Sequence, residues 1–425
     1  YRHDPDDAFE IRGSLSHDAV SFVAEDTAGN LWVGTASGLD RYDRETGQFV
    51  HYRHDRSNPH SLSGDATSGF YEDQAGVLWF STYGKGLNLY DPRSAKFAHY
   101  RLEAAGADLE NNKVVNSIFE DRAGILWTGT DAGLNRFDRA TGQITHYQHD
   151  PLDPDSLSPG WGLSIYEDRD GRLWIGTRSG LDRLDRDTGQ FTHYFQASPD
   201  DYDLSIGAVF SILQDRSGEL WLGRHRYGLC RFDPETGECA PYAYNPEDSL
   251  NPEALVRDVY EDRDGTLWVG SQGGLLSFNP QTETFTLYAH EPGNARSLSH
   301  QEISSIYQDR SGRLWVATDG GGLNLFDPAT ETFTHYTDKD GLPSNIILGI
   351  LEDAQGNLWL STNDGLSRFS PGDGTFKNYD TGDGLQDSEF LFGAHYQNAG
   401  GEMFFGGVNG CLLYTSDAAD ELRWV

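Results

Sequence analysis

The chain runs to 425 residues, with 67 acidic against 32 basic side chains, a formal net charge of −35 and 37% apolar residues. Acid spread along the whole length leaves no basic footprint, which speaks against nucleic acid and against membrane contact as partners for this stretch. No apolar run approaches the roughly 20 residues of a membrane span, and no signal-peptide pattern is present.

Taken in chain order, YRHDP at the start matches the closing strand of a unit that recurs later, so the chain is expected to open inside an array, as a fragment. A Leu-Trp pair then returns at Trp32, Trp79, Trp127, Trp174, Trp221, Trp268, Trp315 and Trp359, with Met403-Phe404 in a ninth position. Successive spacings are 47, 48, 47, 47, 47, 47, 44 and 45 residues. A period this constant, built from short strand-like runs, predicts an all-β fold: a β-propeller of four-stranded antiparallel blades, about nine repeats in all. Residues 114–148 show one unit: VVNSIFED, ILWTGT, GLNRFD and QITHYQ read as four strands of a meander joined by Gly-bearing turns. Each large indole is expected between neighbouring blades, where burial contributes on the order of 25 cal/mol per Å².

Cys230 and Cys239 fall on adjacent strands of one hairpin, diagonal rather than opposite, which leaves their pairing open; no zinc spacing and no disulfide framework is present. Counting back seven repeats from the end reaches Trp127, and the link before it, RLEAAGADLENN (Arg101 to Asn112), departs from the D-P-S-L-S pattern of its siblings. This predicts residues 1–100 as the last blades of a preceding propeller and 101–410 as one seven-bladed ring. The rival is a single ring of eight or nine blades. The repeat stops after GGEMFFGGVNG. Cys411 to Glu421 is similar to the translation of a transposase mosaic end and its adapter, so 411–425 are expected to be a non-native tail.

EDRDGRLWIGTRSGLDRLD from Glu167 and EDRAGILWTGTDAGLNRFD from Glu120 resemble the two-component regulator propeller repeat. The link HDPLDPDSLS and the closing stretch DGLQDSEFLFGAHYQNAGGEMFFGGVNG look like that family too, and the resemblance covers essentially residues 1–410. It implies the extracytoplasmic sensor of a membrane-anchored histidine kinase, hybrid kinase or diguanylate cyclase. Such arrays usually build seven-bladed propellers, and many members respond to oligosaccharides. It also implies a location on the periplasmic or extracellular side, and a homodimer through the full-length protein.

Function should lie where the repeats disagree. The loops between second and third strands differ most, and they nominate Tyr83, Lys85, Asp131, Arg178, Arg224, His225, Arg226, Tyr227, Gln272, Asp319, Asn363 and Asp364 as ligand-binding residues. In RHRYG, Arg224 stands where siblings carry Thr or Ser. Arg forks bind carboxylates, sulfates or sugar hydroxyls, and Tyr stacks on a pyranose. The plainer account is that these cations balance acid from Asp131, Asp319 and Asp364. Trp161, outside every Leu-Trp pair, is either a sugar-stacking ring or a plug at the channel mouth. EDRDG at Glu261 lacks the later ligands of a calcium loop, and the recurring His-Tyr pairs lie on outer strands of separate blades, so no metal and no cofactor is expected. No G-x-S-x-G, H-E-x-x-H or P-loop is present, and the stretch is read as non-catalytic. The alternatives are a protein–protein scaffold and a propeller lyase.

Overall fold

A computed structural model describes residues 11–12, 15–27, 29–42, 44, 49–54, 61–72, 78–90, 97–100, 114–195, 207–242 and 255–414. The chain divides into two compact units, residues 1–95 and 96–425. In the first, one sheet combines strands Ile11–Arg12, Val20–Glu25, Leu31–Thr35, Gly38–Tyr42 and Phe49–Tyr52; a second holds Thr67–Glu72, Leu78–Thr82 and Gly86–Tyr90.

The second unit holds seven four-stranded antiparallel sheets, termed blades one to seven. Their first strands are Val115–Glu120, Gly162–Glu167, Val209–Gln214, Val256–Glu261, Ile303–Gln308, Ile347–Glu352 and Phe390–Gln397. Blade seven is completed by Phe97–Tyr100, from the beginning of the unit, which pairs with Gly410–Tyr414. The sequence reading had grouped residues 97–100 with the preceding blades. The outer edge of the last blade needs a fourth strand, and residues 97–100 provide it, leaving that edge paired. The expected tail, 411–425, begins inside the strand Gly410–Tyr414. Cys411, Leu412 and Leu413 are buried inside the last blade, because Gly410–Tyr414 pairs on both sides. The remainder of the tail, 415–425, and the distinctive link 101–112 lie outside the described residues.

The repeated motif explains how blades stay together. In E-D-R-x-G-x-L-W the Asp and the Arg carry the polar contacts. Asp168 Oδ1 accepts the amides of Asp170 and Arg172, closing the turn between first and second strands, while Oδ2 accepts the Trp174 indole N–H at 2.9 Å. The same indole-to-Asp bond recurs at Trp127, Trp221, Trp268, Trp315 and Trp359. The Arg that follows reaches the neighbouring blade. Arg169 donates its amide to Gln214 and its guanidinium to the carbonyl of Arg216; Arg216 does the same toward Glu261 and Arg263. A carboxylate therefore fixes the turn, and an arginine extends the hydrogen bonding to the next copy.

Indole rings then fill the gaps. Trp174 meets Phe232 of the next blade at 5.3 Å between centroids, Trp221 meets Phe278 at 5.5 Å and Trp268 meets Phe326 at 5.4 Å. Every paired Trp of the second unit is buried. Blades seven and one are joined differently. Arg139 forms a bidentate pair with Glu402 at 2.7 and 2.9 Å and a third bond to Glu120, and the Tyr396 hydroxyl donates to the Glu120 carbonyl.

The His-Tyr histidines are more than edge residues. His193 on the fourth strand bonds Asp182 on the third at 2.8 Å, and Asp182 also accepts the amide and hydroxyl of Ser158 in the preceding link. The Pro154 carbonyl occupies the far ring nitrogen of His193. A Ser, an Asp and a His thus converge, but as a clip that ties the link to its blade. Cys230 and Cys239 are joined by a disulfide, diagonal across third and fourth strands, with Cα atoms 5.6 Å apart.

Candidate functional site

Turns between second and third strands and the links between blades share one face of the second unit. In blades two to five one backbone bond fixes the turn to the residue preceding the first strand: Arg178 N–H to Trp161 O, His225 N–H to Ala208 O, Gln272 N–H to Leu255 O and Asp319 N–H to Glu302 O. A second bond closes the turn itself. The hydroxyl of Thr130, Thr177, Ser271, Thr318 or Thr362 donates to a Gly carbonyl three or four residues on. The frame is constant and its side chains are not.

Each first strand of blades one to six carries a register shift near its start. The residue set out of register is Asn116, Leu163, Phe210, Arg257, Ser304 or Leu348, and bulges of this kind re-aim a side chain. Arg257 is the single base at that position. Its guanidinium pairs with Asp319 at 3.2 Å and Glu302 at 3.4 Å on the next blade, and lies 4.4 Å from the ring centroid of Phe392, which belongs to blade seven. Blades four and seven are not neighbours in the ring, so this contact reaches across it. The sequence reading missed Arg257, Glu302 and Phe392; a lone base among aligned first strands was the available signal.

The nominated residues separate into groups. Trp161 is 42% exposed and carries the Arg178 guanidinium at 5.0 Å from its ring, so these two act together. Arg224 lies 4.6 Å from the Tyr227 ring and 4.7 Å from that of Phe195, the first residue of the link leading into its blade. Asp131 accepts from Asn116 and Asp319 pairs with Arg257, and neither pairs with Arg224. Asp364 donates its amide to the Thr362 hydroxyl, and Asn363 lies in the same turn, between second and third strands of blade six. Gln272 is held by its amide, and His225 and Arg226 flank Arg224, with Arg226 in the left-handed region at φ 62°. Tyr83 and Lys85 belong to the first unit, on an exposed turn.

Two buried groups near the axis have displaced pKa values. Burial pushes Asp258 up to about 6 against amide bonds that oppose it, and burial pulls His395 down to about 4. Among the described residues no group of three metal-binding side chains is found, and no helix is long and apolar enough to cross a membrane.

With this geometry in place, residues 14–37, 108–132, 160–179, 249–273, 297–320 and 341–364 match the two component regulator propeller model. The six matched segments are similar to two component regulator propeller repeats. A histidine kinase, P4, from Formosa agariphila is 30% identical over 196 residues, covering 45% of this chain and 14% of the relative. The extracellular domain of a hybrid two component system from B. thetaiotaomicron superposes with TM-score 0.62 at 23% identity, over 97% of this chain and 55% of that one. Virginiamycin B lyase from Staphylococcus aureus superposes with TM-score 0.57 at 14% identity, over 75% of this chain and 99% of the lyase. The chain thus spans a small part of its curated relative and about half of the sensor structure. Identities this low carry the fold alone.

Proposed function

We propose that this chain is the ligand-sensing, extracytoplasmic propeller of a membrane-anchored two-component signalling protein, non-catalytic in itself, whose ligand is an oligosaccharide. The observation that carries the reading is the pair formed by Trp161 and Arg178: a half-exposed indole backed by a guanidinium, on the one face where turns vary over a fixed frame. Indole faces stack on pyranose rings, and guanidinium forks bind the sugar's oxygens. The Cys230–Cys239 disulfide agrees with an oxidising, extracytoplasmic location, as does the likeness to an extracellular domain. Residues 1–95 are read as blades of a preceding propeller and 96–414 as the ring that holds the site. The signal passes to a histidine kinase or diguanylate cyclase in the full-length homodimer, and the ligand shifts the balance between two arrangements by binding one of them better.

Thermal unfolding across an oligosaccharide panel tests this. A ligand at about 100 times its Kd should stabilise the propeller by about 2.7 kcal/mol, and Trp161→Ala should remove that gain with no change in the unliganded midpoint. A panel with no stabilising saccharide would overturn the reading. Cleaved saccharide in the same wells would favour a lyase, and a ring that binds only protein chains would favour a scaffold.

A further inference from the structure

Arg224 breaks a rule that its own siblings set. At the end of the second strand, Thr130, Thr177, Ser271, Thr318 and Thr362 each use a hydroxyl to close the following turn. Arg224 gives up that bond at Gly228 and places a guanidinium there, 8% exposed. Its Nε is buried with no hydrogen-bond partner, and no carboxylate among the described residues lies within ion-pair distance. The aromatic rings of Phe195 and Tyr227 contact it, and neither neutralises charge. Phe195, whose ring touches the guanidinium, and Arg226, two residues beyond Arg224, both sit in the left-handed region, at φ 58° and φ 62°. Burial pulls the guanidinium pKa down, against a smaller opposing contribution from Tyr227.

An unpaired buried charge is costly, and removing a partner from such a charge is strongly destabilising. Here the guanidinium stands at a position where a hydroxyl closes the turn in blades one, two, four, five and six, and among the described residues nothing pairs with it. We propose that Arg224 is an oxyanion-binding residue of the sensing face, and that the ligand is an acidic saccharide bearing a carboxylate or a sulfate ester. A planar guanidinium offers such a group parallel N–H donors, forming charge-assisted bonds about twice as strong as neutral ones. Tyr227, 44% exposed above it, presents a ring to the sugar that carries the anion. This inference rests on the sensing reading for the word saccharide, though not for the anion.

The test follows the Nε–H resonance of Arg224 by NMR in the intact chain, assigned by its loss in Arg224→Lys. Galacturonate, galactose 6-sulfate and galactose are titrated at constant ionic strength. Saturable shifts with galacturonate or the sulfate, and none with galactose, are expected, and the two acidic probes tell carboxylate from sulfate. Equal responses to all three, or none to either acid, would overturn the proposal. Arg224→Thr restores the sibling hydroxyl, so it should fold with an unchanged or raised midpoint while weakening the acidic probe tenfold or more. A lowered midpoint with unchanged affinity would make Arg224 a structural plug. Oligosaccharides that bind wild type and Arg224→Thr alike would sink the anion site and leave sensing intact. Acidic monosaccharides that bind while no oligosaccharide does would leave the anion site and sink glycan sensing.

Discussion

The turn at residues 168–172 and the turn at 177–180 belong to the same blade yet behave differently along the array. The first repeats its chemistry from blade to blade: an Asp closes the turn and holds an indole, and an Arg reaches the next blade. The second repeats its backbone and, in five blades, one closing hydroxyl, while the next side chain changes from Asp131 to Arg178, His225, Gln272 and Asp319. A blade must match both neighbours, so the interlocking turn has one workable answer. The opposite turn touches solvent and is free to vary. The contrast separates residues that hold the ring from residues that read what comes to it.

The largest effect should come from breaking the holding side. Trp174→Ala opens a cavity between blades two and three and should cost about 3–5 kcal/mol, read by denaturant unfolding. Asp168→Ala leaves the indole N–H and two turn amides without their acceptor and should cost about 1–3 kcal/mol by the same measurement. An Asp168→Ala cost no larger than that of an exposed-turn substitution would dissolve the distinction between the two turns.

Histidines sharpen the contrast between sibling blades. His193 has its pKa raised from 6.5, chiefly by its bond to Asp182, whereas burial lowers that of His146, which faces Asn135. For His193 the folded value lies above the unfolded one. Its stabilisation is complete below pH 6.5 and is lost as pH rises through the folded pKa. For His146 the order reverses: the contribution is present above pH 6.5 and is lost as pH falls through the depressed value. His395 follows the same sense as His146, with its contribution lost near pH 4. NMR titration should place the three midpoints on these sides of 6.5, and Asp182→Asn should move His193 below it. The smallest effect belongs to the reading side. Arg178→Ala should change stability by no more than about 0.5 kcal/mol while weakening saccharide binding, as calorimetry would show.

Much of the site was readable before any coordinates. Trp161, Arg178 and Arg224 stood out as departures from a register that the Leu-Trp pairs had set, and all three lie on one face. Arg257, Glu302 and Phe392 did not, because each sits in or beside a strand whose alternation looks ordinary. Only the bulge and the ring bring blade four across to blade seven. Phe195 was passed over because it falls between the repeat and its link, where periodicity carries no signal.

The sequence by itself determined the repeating unit, its four strands and the burial of the indoles, since these follow from alternation, turn chemistry and a period, all properties of neighbouring residues. Tertiary structure alone decided that residues 97–100 complete the last blade, that Cys411–Leu413 belong to it, and that Asp131 and Asp319 are engaged elsewhere, so that among the described residues no carboxylate pairs with Arg224. Those outcomes depend on which distant segments meet when the ring closes. Charge balance and strand edges are settled across space, where a linear pattern has no reach.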